Sequence, residues 1–189
     1  MSFRQKVILG ISLIAISVIG RVIPHPWNMT PLAAAAIFAG VHLGKRWAIA
    51  IPIFSMLLSD SVLGYYQLPL LLSVYGAMAM AGMLAYQTRN ARGMTMFLAR
   101  PLAASLLFFL VTNGAVWMFG LTYPHTASGL LLAYIAGLPF FGHQLIGDVL
   151  YTIVFFGAYA LVSSNSTALR AILSGSHTRL VAKMNAPDS

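Results

Sequence analysis

The sequence predicts an all-α membrane protein built from six transmembrane helices, and two observations lead to this prediction. Hydrophobic residues make up 59% of the 189 residues, and charged residues only 7%. A soluble domain contains about a quarter charged residues, so this chain has too few to cover a surface that faces water. The basic residues also fall between long apolar runs rather than in one patch. The net charge of +8 is therefore attributed to membrane topology, and no nucleic-acid partner is expected.

Six apolar runs meet or nearly meet the length that a bilayer requires, which is roughly 17 to 25 residues per helix. In chain order the predicted spans are about 6–23, 29–44, 47–63, 68–88, 101–120 and 142–163. The second and third are short, so they are expected to stand upright or to thin the bilayer locally.

A further apolar segment, 127–138, is too short to span a bilayer and ends at Pro139. It is predicted to be a short re-entrant or interfacial helix, because proline usually closes a helix. Residues 1–163 are thus predicted to form the six-helix transmembrane domain. The polar and basic residues 164–189 are predicted to form a cytoplasmic tail.

Lysine and arginine occupy every second connection between the predicted helices, and the alternate connections contain none. The basic segments contain, in chain order, Arg4 and Lys6, Lys45 and Arg46, Arg89, Arg92 and Arg100, and Arg170, Arg179 and Lys183. Cytoplasmic segments of membrane proteins carry such an excess of basic residues. Both termini are therefore predicted to lie in the cytoplasm, and the lipid bilayer is the expected surroundings of the bundle.

Three ionisable residues depart from this pattern because the predicted topology places them in the outer half of the bundle. They are Arg21 at the end of helix one, Asp60 at the end of helix three and Asp148 in helix six. An ionisable side chain in a membrane span is costly and usually has a partner or a function. Two interpretations stay open, namely an ion pair that only fixes helix packing and the charged frame of a binding site.

Polar and aromatic residues are concentrated on the same outer side. Asn113 and Trp117 share one face of helix five, and Gln144 and Asp148 share one face of helix six. A few placed polar groups among aromatic and apolar residues are typical of a small-molecule pocket. The predicted site residues are Arg21, His25, Asn28, Asp60, Tyr75, Asn113, Trp117, His143, Gln144 and Asp148.

Other functional classes receive less support from the sequence. There is no cysteine and no phosphate-binding or hydrolase motif, so no cofactor is expected. A metal site would have to assemble His25, His125 and His143 from different helices, because their spacing is not that of a local metal motif. An intramembrane enzyme that uses Asp60 and Asp148 stays open as an alternative.

Small residues fill the second predicted helix, where Ala35 and Ala39, and Ala36 and Gly40, are spaced four apart. Such pairs permit close helix approach. Internal packing is the favoured interpretation, and a partner-binding membrane subunit that docks through this face is the alternative.

The chain resembles the substrate-binding S components of energy-coupling-factor vitamin transporters, and within that group it resembles a family of bacterial multipass proteins. The stretches that carry the resemblance are Pro24-His25-Pro26-Trp27-Asn28-Met29-Thr30-Pro31, Ser59-Asp60, Gly64-Tyr65, Thr112-Asn113-Gly114-Ala115-Val116-Trp117, Tyr123-Pro124, Leu138-Pro139-Phe140-Phe141 and Gly147-Asp148. The resemblance implies an S-component-like bundle in the bacterial cytoplasmic membrane. It also implies an extracytoplasmic pocket for a vitamin-like ligand, among which a corrinoid is favoured.

Two departures from that group qualify what the resemblance implies. S components that dock to the shared energising module carry an AxxxA motif in helix one, and Ile8–Ser17 contains no such pair. The solitary cobalamin component, a characterised protein that the chain is suggested to resemble, uses a cysteine near cobalt, and this chain has none. A solitary uptake protein is therefore favoured, with an energising membrane module as partner left as the alternative. His25 or His143 is the expected axial ligand if the substrate is a corrinoid.

Overall fold

The computed structural model describes the backbone of residues 1–26 and 28–184, and the side chains of this part as far as Ser164. Within it the chain forms six α-helices and no strand, namely α1 (Phe3–Val22), α2 (Leu32–His42), α3 (Lys45–Leu63), α4 (Leu68–Gln87), α5 (Met94–Phe119) and α6 (Ala127–Met184). All except α2 are long and apolar enough to cross a bilayer. The predicted all-α class is confirmed, and the helices fit an integral membrane protein.

The chain divides into two compact units, Met1–Ile153 and Val154–Ser189. The first unit contains α1 to α5 and the beginning of α6. The second contains the rest of α6, which continues as helix to Met184. The predicted division between a transmembrane domain and a cytoplasmic tail at residue 163 stays a prediction.

Helix α2 is shorter than the predicted span 29–44. Its 11 residues measure about 16 Å, roughly half of the hydrocarbon thickness of a bilayer. Every residue from Leu32 to Gly40 is buried, and α2 packs against α1, α3, α4 and α5. Because its neighbours separate it from lipid, α2 does not have to match the thickness of the bilayer.

The prediction of a separate re-entrant helix over 127–138 is wrong, because this segment and the predicted span 142–163 belong to the one helix α6. Pro139 lies inside α6. A proline removes one backbone hydrogen bond, but apolar surroundings offer the neighbouring peptide groups no water as a competing partner. The His143 ring nitrogen Nδ1 lies 2.9 Å from the Pro139 carbonyl oxygen one turn along the helix.

Helix α5 also begins earlier than predicted, at Met94 rather than at 101, and Pro101 lies within it. Arg100 is therefore a helical residue, and it is 7% exposed. Its guanidinium donates hydrogen bonds to the carbonyl oxygens of Thr88 and Ala91 at 2.6 and 2.8 Å. A cation at this position satisfies carbonyl groups beyond the last turn of α4.

Helices α2, α3 and α4 approach one another most closely where they carry small residues. A Cβ atom added at Gly82 of α4 would overlap the carbonyl oxygen of Ala48 in α3, and one added at Gly40 of α2 would overlap the carbonyl oxygen of Gly82. Gly82 and Gly40 thus allow backbone-to-backbone packing, which is a main source of helix association in membranes.

Replacing Gly82→Ala should destabilise the bundle by about 1–3 kcal/mol, because the new methyl group meets a backbone atom that cannot move aside. The midpoint of thermal unfolding in detergent should fall accordingly. Gly76→Ala is the matched control, since it lies on the same helix with nothing within 4 Å of the added Cβ. Equal unfolding temperatures for the two variants would contradict this account of the packing.

Candidate functional site

A cavity of about 560 Å³ opens where α1 and α3 end and α4 begins. This end of the bundle, with the connections 23–31 and 64–67, is called the Arg21 pole below. The polar lining residues are Arg21, His25, Asn28, Thr30, Tyr66, Thr112, Asn113, Gln144 and Asp148. The apolar lining residues are Leu32, Met56, Leu63, Val74, Met78, Phe108, Val116 and Phe140.

The connection between α1 and α2 forms one wall of this cavity. Its backbone turns sharply where the Met29 amide donates a hydrogen bond to the Pro26 carbonyl oxygen at 3.0 Å. Asn28 has a φ of 59°, in the left-handed region that asparagine tolerates better than most residues. Met29 packs against Gly147 of α6, where an added Cβ would lie 2.9 Å from the Met29 Cγ atom.

His25 lines the cavity, but its ring nitrogens face backbone oxygens. Nδ1 lies 2.9 Å from the Pro26 carbonyl oxygen, and Nε2 lies 3.3 Å from the Arg21 carbonyl oxygen. An axial metal ligand needs an unprotonated nitrogen that faces the metal. In this conformation the ring instead holds the 23–31 connection to the end of α1.

Asp60 binds two other helices at the Arg21 pole. Its Oδ1 atom accepts a hydrogen bond from Nη2 of Arg21 in α1 at 2.7 Å, and its Oδ2 atom accepts one from the Tyr75 hydroxyl of α4 at 2.8 Å. The Asp60 side chain is 2% exposed. A buried carboxylate requires such partners because desolvation of an unpaired charge is very costly.

Arg21 uses only part of its donor capacity in this pair. Its Nη1 atom is buried and has no hydrogen-bond partner within the part of the chain that is described. The side chain nevertheless lies on the cavity wall and is 16% exposed. Arg21 therefore has a fixed position on the cavity wall, and its guanidinium is only partly hydrogen-bonded.

Asp148 is the second buried carboxylate, and its surroundings differ from those of Asp60. The side chain lines the cavity, and the residue is 2% exposed. Its Oδ2 atom lies 2.7 Å from the Ser105 hydroxyl of α5 and 3.4 Å from Nε2 of Gln144. No lysine, arginine or histidine among the described side chains forms an ion pair with it.

Asn113 completes the polar part of the cavity on α5. Its Nδ2 atom donates to the Phe109 carbonyl oxygen at 2.8 Å, which fixes the orientation of the amide. Gly137 of α6 packs directly against this amide, and an added Cβ there would overlap the Asn113 Oδ1 atom.

Tyr66 lies in the 64–67 connection, outside the membrane-spanning helices, and is 40% exposed. Burial first, and the negative charge of Asp60 second, raise the pKa of the Tyr66 phenol, while the charge of Arg21 opposes this change. Because an ordinary phenol already titrates near pH 10, Tyr66 remains a hydroxyl donor at neutral pH.

The structure places six of the ten predicted site residues on the cavity wall: Arg21, His25, Asn28, Asn113, Gln144 and Asp148. Asp60 and Tyr75 are not part of the wall, and they contact one another beside Arg21. The remaining two residues, Trp117 and His143, lie outside the cavity lining.

Trp117 donates its indole N–H to the Pro124 carbonyl oxygen at 3.1 Å and meets the His125 ring edge-on. It thereby holds the connection between α5 and α6. His143 is exposed and contacts the Pro139 carbonyl oxygen.

Sequence reasoning missed the apolar part of the cavity and the Ser105 contact to Asp148. In the sequence, Leu32, Met56 and Phe108 have no feature that distinguishes a side chain facing a cavity from one facing lipid or the core.

In the described residues no three His, Asp or Glu side chains are close enough to share a metal ion.

Residues 1–170 match the sequence model of a family described as a family of unknown function (DUF6580). No curated protein and no solved structure matches the chain.

The hydrogen bond from Tyr75 to Asp60 should be coupled to the Arg21–Asp60 ion pair. Asp60→Asn should cost roughly 3–5 kcal/mol, because it leaves the guanidinium of Arg21 without its counter-charge. Tyr75→Phe should cost about 1–2 kcal/mol in the unmodified protein and less in the Asp60→Asn background. Thermal unfolding of the two single variants and the double variant in detergent measures this difference.

Tyr65→Phe is the control for this cycle, since Tyr65 is 64% exposed in the same connection as Tyr66. It should leave the unfolding temperature unchanged. Strictly additive effects of Asp60→Asn and Tyr75→Phe would show that the two contacts are independent.

Proposed function

The chain belongs to this family of unknown function (DUF6580), and we propose that it is a membrane protein that binds a vitamin-like small molecule and mediates its uptake. The observation that carries the proposal is the cavity at the Arg21 pole, where an apolar lining surrounds a few oriented polar groups. A volume of about 560 Å³ falls in the range of small-molecule sites. Structural packing alone does not require a cavity of this composition.

The size and chemistry of the cavity favour a compact vitamin over a complete corrinoid. A corrin macrocycle with its side chains is much larger than the drug-sized ligands that cavities of this volume enclose. The contacts of His25, and the position of His143 outside the cavity, also leave the axial-ligand role without support. A corrinoid stays in the test as the largest probe.

The proposed mode of action is that of an S-component-like protein that works without the shared energising module. Large side chains on the exposed face of α1 support this, since Ile8, Ile11 and Ile19 are all more than half exposed. The docking motif of S components instead presents two alanines. Release of the ligand would then require tilting or rocking of the whole bundle.

Catalysis by an aspartate pair is less well supported than binding. A catalytic pair of aspartates shares one site and one proton. Here both Asp60 oxygens are engaged by Arg21 and Tyr75, while Asp148 contacts Ser105 and Gln144.

The partner-docking alternative would use Ala35 and Ala36, and both are fully buried within the bundle.

The proposal places the Arg21 pole on the extracytoplasmic side of a bacterial cytoplasmic membrane, with both termini in the cytoplasm. The alternation of basic connections supports this orientation.

Single cysteines can test the orientation cleanly because the natural sequence contains none. Tyr65→Cys lies at the Arg21 pole, and Arg92→Cys lies in the connection between α4 and α5; both positions are exposed. A membrane-impermeant maleimide should label Tyr65→Cys in intact cells and Arg92→Cys only after permeabilisation. The reverse pattern would place the cavity on the cytoplasmic side and contradict uptake from outside.

Binding is tested with protein in lipid nanodiscs against a panel of water-soluble vitamins, including cobalamin, by calorimetry and thermal stabilisation. At least one compact vitamin should bind. Gly137→Ala should weaken its binding about tenfold or more, because the new methyl group displaces the Asn113 amide from the cavity.

Gly142→Ala is the matched control on α6, since nothing lies within 4 Å of its added Cβ. It should bind like the unmodified protein. Absence of binding by every vitamin, or equal binding by Gly137→Ala and Gly142→Ala, would contradict the proposed site.

A further inference from the structure

The polar groups around the cavity differ in whether their hydrogen-bonding capacity is already used. Both oxygens of Asp60 have charged or hydroxyl donors, so this carboxylate is saturated by the protein. Asp148 lies against the cavity with only the neutral donors Ser105 and Gln144. Its carboxyl group has no cationic partner among the described side chains.

Arg21 lacks a hydrogen-bond acceptor, whereas Asp148 lacks a cation. Nη2 is bound to Asp60, whereas Nη1 is buried without an acceptor although the side chain borders the cavity. The guanidinium is thus incompletely hydrogen-bonded, and its side chain is still 16% exposed at the cavity, where a ligand can supply a further acceptor. A carboxylate is the acceptor that suits a guanidinium best.

These two deficiencies lie on different elements of the same cavity, α1 for Arg21 and α6 for Asp148, with apolar side chains such as Met56, Met78 and Phe108 also in its lining. On the basis of the proposed function, we propose that the ligand is a zwitterion. Its protonated nitrogen pairs with Asp148, its carboxylate accepts a hydrogen bond from the exposed part of the Arg21 guanidinium, and its apolar body packs against the lining between them.

The surroundings of Asp148 favour an organic ammonium group over a metal ion. Divalent cations in proteins are held by several carboxylate, carbonyl or imidazole ligands. Asp148 has only a hydroxyl and an amide beside it, and no metal-binding cluster exists among the described residues. A net-neutral zwitterion would also supply both missing partners without adding net charge to the cavity.

The test compares four charge forms of one molecular framework, namely tryptophan, tryptamine, indolepropionate and indolepropionamide. A second set uses para-aminomethylbenzoate, para-methylbenzylamine, para-methylbenzoate and para-methylbenzamide, which places the two charges at opposite ends of the body. Binding to the protein in nanodiscs is measured by calorimetry at neutral pH. In at least one set the zwitterion should bind about tenfold or more tighter than the amine, the carboxylate and the amide.

The variant Asp148→Asn preserves the shape of the side chain and removes its charge. It should abolish the preference for the zwitterion over the carboxylate of the same set. Thr152→Val is the control on the next turn of α6, because Thr152 is buried but is not part of the cavity lining. This control should retain the preference, and the ligand series on the unmodified protein decides the question if Asp148→Asn does not fold.

Tightest binding by an amine, a carboxylate or an amide, or an unchanged preference in Asp148→Asn, would overturn the inference. If the vitamin panel still gave a binder, the proposed function would stand without it. Failure of all eight compounds would also overturn the inference, and together with failure of every vitamin it would overturn the proposed function.

Discussion

The Asp60 carboxylate is the constraint on which the Arg21 pole depends. A buried carboxylate in a membrane protein must be matched by donors, and α1 and α4 supply them through Arg21 and Tyr75. The requirement brings the end of α1, the last turn of α3 and the second turn of α4 together. It also fixes the Arg21 side chain beside the cavity, so the interaction that joins the helices also shapes the candidate site.

Helix α2 explains how a chain of this length can enclose a cavity within a membrane. Because α2 is covered by other helices, it can be short, and its small residues allow those helices to pack closely around it. The irregular 23–31 connection precedes α2 and lines the cavity. Backbone without regular structure is tolerated in membranes where it is covered by protein or lines a cavity.

The sequence predicted what depends on composition and charge, and missed what depends on packing. Apolar length identified the long helices. The rarity of acids directed attention to Asp60 and Asp148, and the position of a cation outside the basic connections directed attention to Arg21. The continuity of α6 through Pro139 was not predictable, because the propensity of proline to end helices is measured in water. Which carboxylate pairs with Arg21 was also left open, since it depends on how the helices are rotated against one another.

For Asp60 and Asp148, the groups that contact each carboxyl are more informative about function than the presence of an aspartate in an apolar helix. From the sequence alone, Asp60 and Asp148 are equally costly residues in apolar helices. In the fold, Asp60 has a cation and a hydroxyl as donors, so its charge is accounted for by helix packing. Among the described side chains, Asp148 has only neutral hydrogen-bond donors, and it lines the cavity. An ionisable group that the fold leaves without a charged partner beside a cavity is the stronger indication of a bound ligand.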